Sequence, residues 1–132
     1  MMLRNPISTI LLLTPLVLDA HHSTARNFSQ EVVTLEGTVT DVIWENPHAS
    51  FVLVVTNDDG IRAEWSVELI AQAALERRGF DFDALQAGMV ITLTGRVGYE
   101  AGNLLFSEAL LADGRVVTEQ DTDRDAGQVM SR

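Results

Sequence analysis

The stretch "EVVTLEGTVTDVI", residues 31–43, constrains the fold more than any other part of the chain. Val33, Leu35, Val39 and Ile43 fall on one face at period two, with Gly37 between them. Glu36, Thr38 and Thr40 fall on the opposite face. That period describes a half-buried strand and cannot place an apolar stripe on a helix. A glycine inside so long a strand predicts a bulge or sharp bend, the device a sheet uses to turn a corner and close on itself. Asn46-Pro47 ends the strand, because Pro donates no ladder hydrogen bond.

The same reading extends down the chain. Ser50 to Thr56 is rich in β-branched residues and predicts a second strand. Asp58, Asp59 and Gly60 predict a hairpin turn. In the returning strand Ile61, Ala63, Trp65, Val67 and Leu69 alternate with Arg62, Glu64, Ser66 and Glu68. The period then changes: "IAQAALERRGF" reads as a short helix stopped at Gly79. "MVITLTGRVGYE" predicts a fourth strand, with Met89, Ile91, Leu93 and Val97 on one face and Gly95 as a second bend. "LLFSEALLADGRVV" predicts a fifth, with a tight turn at Asp113-Gly114. Three strands, one short helix and two strands are the layout of an all-β, five-stranded OB-like Greek-key barrel. The alternative is an open α+β sheet with the helix on one face.

The expected organisation has four parts. Residues 1–20 carry one basic side chain, Arg4, then the apolar run "ISTILLLTPLVL", too short to span a bilayer. That pattern describes a secretory signal peptide with cleavage after Ala20. Residues 21–30 form an amino-terminal arm anchored by Phe28, residues 31–117 the barrel, and residues 118–132 an acidic tail too poor in apolar groups to order itself. With no cysteine, the exported domain must hold together by its core alone. The formal net charge of −10 repels phosphate backbones and argues against nucleic-acid binding. The expected location is the periplasm or the medium of a Gram-negative bacterium, with no membrane attachment after cleavage and a protein partner unidentified.

Several stretches resemble a family of small secreted bacterial proteins of unknown function that carry Ala-His-His-Ser at the start of the mature chain, around the cleavage point. They are "AHHS" at 20–23, "VIWENPHA" at 42–49, "EWSVEL" at 64–69, "LERRGF" at 75–80, "LQAGMVITLTG" at 85–95 and "LADGR" at 111–115. Thr24 stands where that family usually has an aromatic. The resemblance implies secretion and an OB-like barrel, and it implies no activity or substrate.

Two of the three histidines, His21 and His22, follow the expected cleavage point. Cleavage there would leave His21 with a free α-amine. Amine and imidazole of one residue chelate a metal, and a second imidazole from His22 or His48 completes a nitrogen-only set. Such a set suits Cu(II), so copper is the expected metal. Without a metal, Trp44 and Asn46 at the rim are the candidate ligand-binding residues, by stacking and hydrogen bonding, although packing and turn capping are the plainer roles for both. Arg62, Glu64 and Glu68 read as an exposed charged ladder, with Arg77 and Arg78 near enough to pair with its glutamates. No activated nucleophile, phosphate loop or His-Glu-x-x-His is present, so a binding protein is expected rather than an enzyme. Mass spectrometry of the exported protein is expected to give His21 as the first residue; any other start removes the amine–imidazole chelate.

Overall fold

The computed structural model describes residues 27–120 and the pair 124–125. The signal segment, His21, His22 and most of the acidic tail lie outside the described residues. The strands are β1 (Phe28–Ile43), β2 (Ser50–Thr56), β3 (Arg62–Glu68), β4 (Val90–Gly98), β5 (Asn103–Leu111), β6 (Arg115–Thr118) and β7 (Arg124–Asp125). A short helix, α1 (Gln72–Arg77), and a 3-10 turn (Phe82–Ala84) join β3 to β4. The protein is all-β with one short helix, as its alternation patterns require.

The sheet order is β3-β2-β1-β4-β5-β6-β7, and an additional β3–β5 pairing joins its third strand to its fifth. Five strands therefore form a ring. Its closing seam is parallel and short: Ser66, Val67 and Glu68 face Asn103, Leu104 and Leu105. The other pairings within the ring are antiparallel. Val39, Leu53, Val67, Leu93 and Leu104 bring one buried side chain from each strand to the interior. Leu75 from α1 and Leu85 from the following loop are also fully buried and join that core. The helix forms from strong helix formers, Gln, Ala, Leu, Glu and Arg, and Gly79 at φ 72° ends it.

Gly37 serves as a close-contact point between strands. A Cβ there would meet the Val54 carbonyl oxygen at 2.6 Å and the Leu53 side chain at 2.9 Å. The bulge expected at this glycine lies further on. The β1–β2 register shifts between Thr40 and Ile43, and Asp41 sits at φ 47°. An extra residue reverses the phase of a strand. Ile43, expected on the core face, is consequently 46% exposed, while Val42 packs against the core. The β4–β5 register shifts opposite Thr94 and Gly95, where a bend is expected, and the extra residue, Ser107, is on β5.

Two other boundaries differ from the sequence reading. Ile61 is 65% exposed although it continues the apolar face of β3. The ladder of β3 with β5 begins only at Ser66, so the turn end of the β2–β3 hairpin has no sheet to pack on. The fifth predicted strand is a hairpin, β5 and β6, turned at Asp113-Gly114 with Gly114 at φ 88°. Thr118, expected to open the tail, closes β6 opposite Glu108, and Arg124 and Asp125 pair with Val116 and Arg115. Gly37→Ala is expected to cost about 1–3 kcal/mol through overpacking, read as a lower midpoint in urea unfolding with an unchanged slope.

Candidate site on the outer wall

The loop between β1 and β2 carries Trp44, Asn46 and His48, and it is clasped to the segment around α1. Leu69 N donates to Ala49 O at 2.8 Å, Ala49 N to Ile70 O at 3.2 Å, and Gln72 N to Glu45 O at 3.0 Å. Asn46 supplies the acceptor that α1 lacks locally. The position before the helix is Ala71, which has no side-chain oxygen, and Ala73 N donates instead to Asn46 Oδ1 at 3.1 Å. An orphan N–H in the first turn is thereby satisfied. Asn46 thus accepts from the first turn of a helix 27 residues away.

Trp44 packs in an aromatic cluster. Its ring centroid lies 5.7 Å from Phe80 and 4.9 Å from Phe82, and these two are 5.3 Å apart. The interplanar angles, 59° to 82°, are those of edge contacts, which add about 0.5–1.5 kcal/mol per pair beyond area burial. The cluster binds the end of β1 to the loop after α1. Trp65 packs against the core from β3. Among the described residues the candidate rim aromatic and amide are therefore engaged in holding the loop that presents His48.

His48 has a partner that the sequence reading did not assign. Its Nδ1 lies 3.0 Å from Glu68 Oε1, with the two side chains 42% and 32% exposed. Ser50 faces Glu68 across the β2–β3 ladder, and this register brings His48, two residues before Ser50, over the glutamate. A carboxylate only accepts, so Nδ1 is the donor, and whenever the ring is neutral the lone pair is on Nε2. Glu68 thus leaves the expected ladder of Arg62 and Glu64. A count from the Asp58-Gly60 turn places residue 50 opposite residue 68, but the fold of the loop before Ser50 decides that His48 reaches the glutamate.

A second carboxylate outside the sequence candidates tethers the far end of β6. Glu119 Oε1 accepts from Ile70 N at 2.9 Å. Burial raises its pKa above the ordinary value of 4.5, against the lowering effects of that hydrogen bond and of the Arg78 charge. Arg78, considered above as a partner for Glu64 or Glu68, acts here on Glu119. Among the described residues no group of three His, Asp or Glu side chains is placed to hold a metal ion. Among the described residues, too, no helix is long and apolar enough to cross a membrane.

Fold and site define a small all-β protein whose five-stranded ring carries a histidine–carboxylate pair on its outer wall. The chain belongs to the family of unknown function DUF6152, which it matches over residues 11–103. No curated protein and no solved structure matches it. One pH effect follows from Glu119. Its folded-state pKa is raised, so between 4.5 and that raised value the folded protein holds a proton the unfolded chain has lost. Stability from this group is present below that window and falls as pH rises through it. Glu119→Gln keeps the acceptor for Ile70 N and removes the charge. The variant is expected to gain on the wild type as pH rises from 4 to 7, measured by urea unfolding at each pH; a constant difference would contradict the buried-charge account.

Proposed function

We propose that the protein is exported to the periplasm, is cut after Ala20, and binds Cu(II) as a non-enzymatic binding protein. The α-amine and imidazole of His21 form the chelate, and His48 Nε2 supplies the third nitrogen. The observation that carries this reading is the 3.0 Å contact between His48 Nδ1 and Glu68 Oε1. Metal-ligating histidines characteristically donate their other ring N–H to a carboxylate, which fixes the tautomer and makes the free nitrogen a better ligand. His48 is also solvent-accessible, and its loop is held rigid by the hydrogen bonds to residues 69–73 and by the Trp44 cluster.

Nitrogen-only coordination in a chain without cysteine favours Cu(II) over the softer Cu(I). Export supplies the two requirements of such a site, a peptidase-generated amino terminus and a compartment in which copper is met before the cytoplasm.

Isothermal titration of Cu(II) into protein beginning at His21 tests the reading. Glu68→Gln is expected to weaken binding by about 10–100-fold through loss of ring orientation. His48→Ala is expected to remove one nitrogen from the copper EPR hyperfine pattern, and an extra residue before His21 to abolish tight binding. Affinity unchanged by all three changes would overturn the proposal. Loss with His22→Ala but not with His48→Ala would move the third nitrogen to His22.

A further inference from the structure

Two strands run toward each other along one edge of β5. β3 takes up Asn103 to Leu105 in parallel, and β6 takes up Glu108 to Leu110 in the antiparallel sense. Phe106 and Ser107, between these pairings, have no partner in either ladder. β3 and β6 therefore meet end to end. β6 is anchored there by Val117, which is fully buried. The residue after β6 is Glu119, and its side chain reaches the chain leaving β3, at Ile70.

Beyond the last pair of the β2–β3 ladder, Ser50 with Glu68, two residues oppose one. Ala49 O accepts from Leu69 N at 2.8 Å, and Ala49 N donates to Ile70 O at 3.2 Å. That count is a β-bulge, which breaks the ladder and re-aims the side chains beside it. A bulge also leaves a backbone group without its ladder partner. Here the group is the Ile70 N–H, and Glu119 Oε1 accepts from it at 2.9 Å. His48 is the residue before Ala49, and Glu68 is the residue before Leu69. The imidazole–carboxylate pair, 3.0 Å apart, is thus carried on the two chains that the bulge joins.

We propose that Glu119 is a positioning residue for His48: by holding the Ile70 amide it fixes the bulge, and with it the place where Glu68 meets the imidazole, so that Nε2 points in one direction. The consequence for metal binding rests on the copper reading above; the placing of the ring concerns residues 48, 49, 68, 69, 70 and 119 alone. A bound nitrogen must be held within about 0.5 Å of its productive place. A bulge that slips by one residue turns every side chain of its strand to the other face, and Glu68 would leave the ring altogether. The acceptor suits the task. A charged carboxylate accepts about twice as strongly as a neutral group. Its partial burial also keeps water from competing for the amide.

A plain staple would stabilise the protein without governing the ring, and the two accounts separate by experiment. Nitrogen NMR of the exported protein, labelled with 15N and freed of metal by chelator, reads the ring at about pH 8, where an ordinary imidazole is neutral. The His48 signals are those lost in His48→Ala. One tautomer, with the proton on Nδ1, is expected in the wild type. In Glu119→Ala the second tautomer is expected to appear, as the bond to Glu68 loosens. Glu119→Gln keeps an oxygen for the Ile70 amide and is expected to restore the single form. Ile91→Val, a truncation in the core on β4, controls for stability alone and is expected to leave the ring unchanged. If Glu119→Ala does not fold, Glu119→Asp takes its place, with a carboxylate one methylene short of the amide. Isothermal titration is expected to show Cu(II) binding about ten-fold weaker in Glu119→Ala than in Glu119→Gln. A ring that changes in Glu119→Ala and recovers in Glu119→Gln, in protein that binds no copper, would uphold the positioning role and sink the copper reading. The same tautomer in every variant, or a second tautomer in Glu119→Gln and Ile91→Val as well, would overturn the positioning role whatever the copper affinity.

Discussion

The seam between β3 and β5 is the contact on which the rest of the molecule depends. It spans three residue pairs, and parallel pairing is somewhat weaker per residue than antiparallel pairing. Its strength comes from what lies behind it. Val67 and Leu104 face each other across the seam and both are fully buried. Closing the ring there covers the edge of β3 from Ser66 to Glu68 and gives the ring an inside and an outside. The interior then accepts one apolar side chain after another from β1, β2 and β4, with Leu75 and Leu85 among the side chains that complete it. On the exterior, the same closure makes neighbours of residues far apart in sequence. Glu68, Leu105 and Arg96 share a row only because β3 meets β5.

The loop that presents His48 shows how local weakness is met from a distance. A six-residue helix without a side-chain cap is marginal alone. Asn46 caps it from the preceding hairpin, and Trp44 holds the loop after it through Phe80 and Phe82. Helix and loop stabilise each other, so the imidazole is carried on a rigid support. Rigidity is what a single histidine with a fixed tautomer needs if it is to offer one nitrogen in one direction.

Much of the fold was legible because a half-buried strand writes its period into the chain. The residues 33, 35 and 39 face inward as their alternation requires, and so do 91 and 93. The errors have one cause: alternation tells which residues share a face only while pairing continues unbroken. Asp41 interrupts the count and turns Ile43 outward. Ile61 continues the count correctly but lies where β3 has no second neighbour. His48 stood out in the sequence as one of three histidines beside a turn, yet its partner did not. Glu68 looks like one rung of a solvated ladder with Arg62 and Glu64, and only the hairpin register brings it under the ring of His48. Glu119 was invisible as a tether, since nothing in "VVTEQ" says that its carboxylate turns to the amide of residue 70.

What the amino-acid sequence determined by itself is the all-β class, the number of ring strands, the place of the helix and the identity of the histidines. These follow from periodicity and from Gly and Pro, which act over a few residues. The tertiary structure alone decided where the ring closes, which carboxylate steadies His48, and which side chain holds the chain leaving β3. Those outcomes depend on register and on contacts across 20 to 49 residues of chain, and no local pattern encodes which of two exposed glutamates a folded wall will place beside an imidazole.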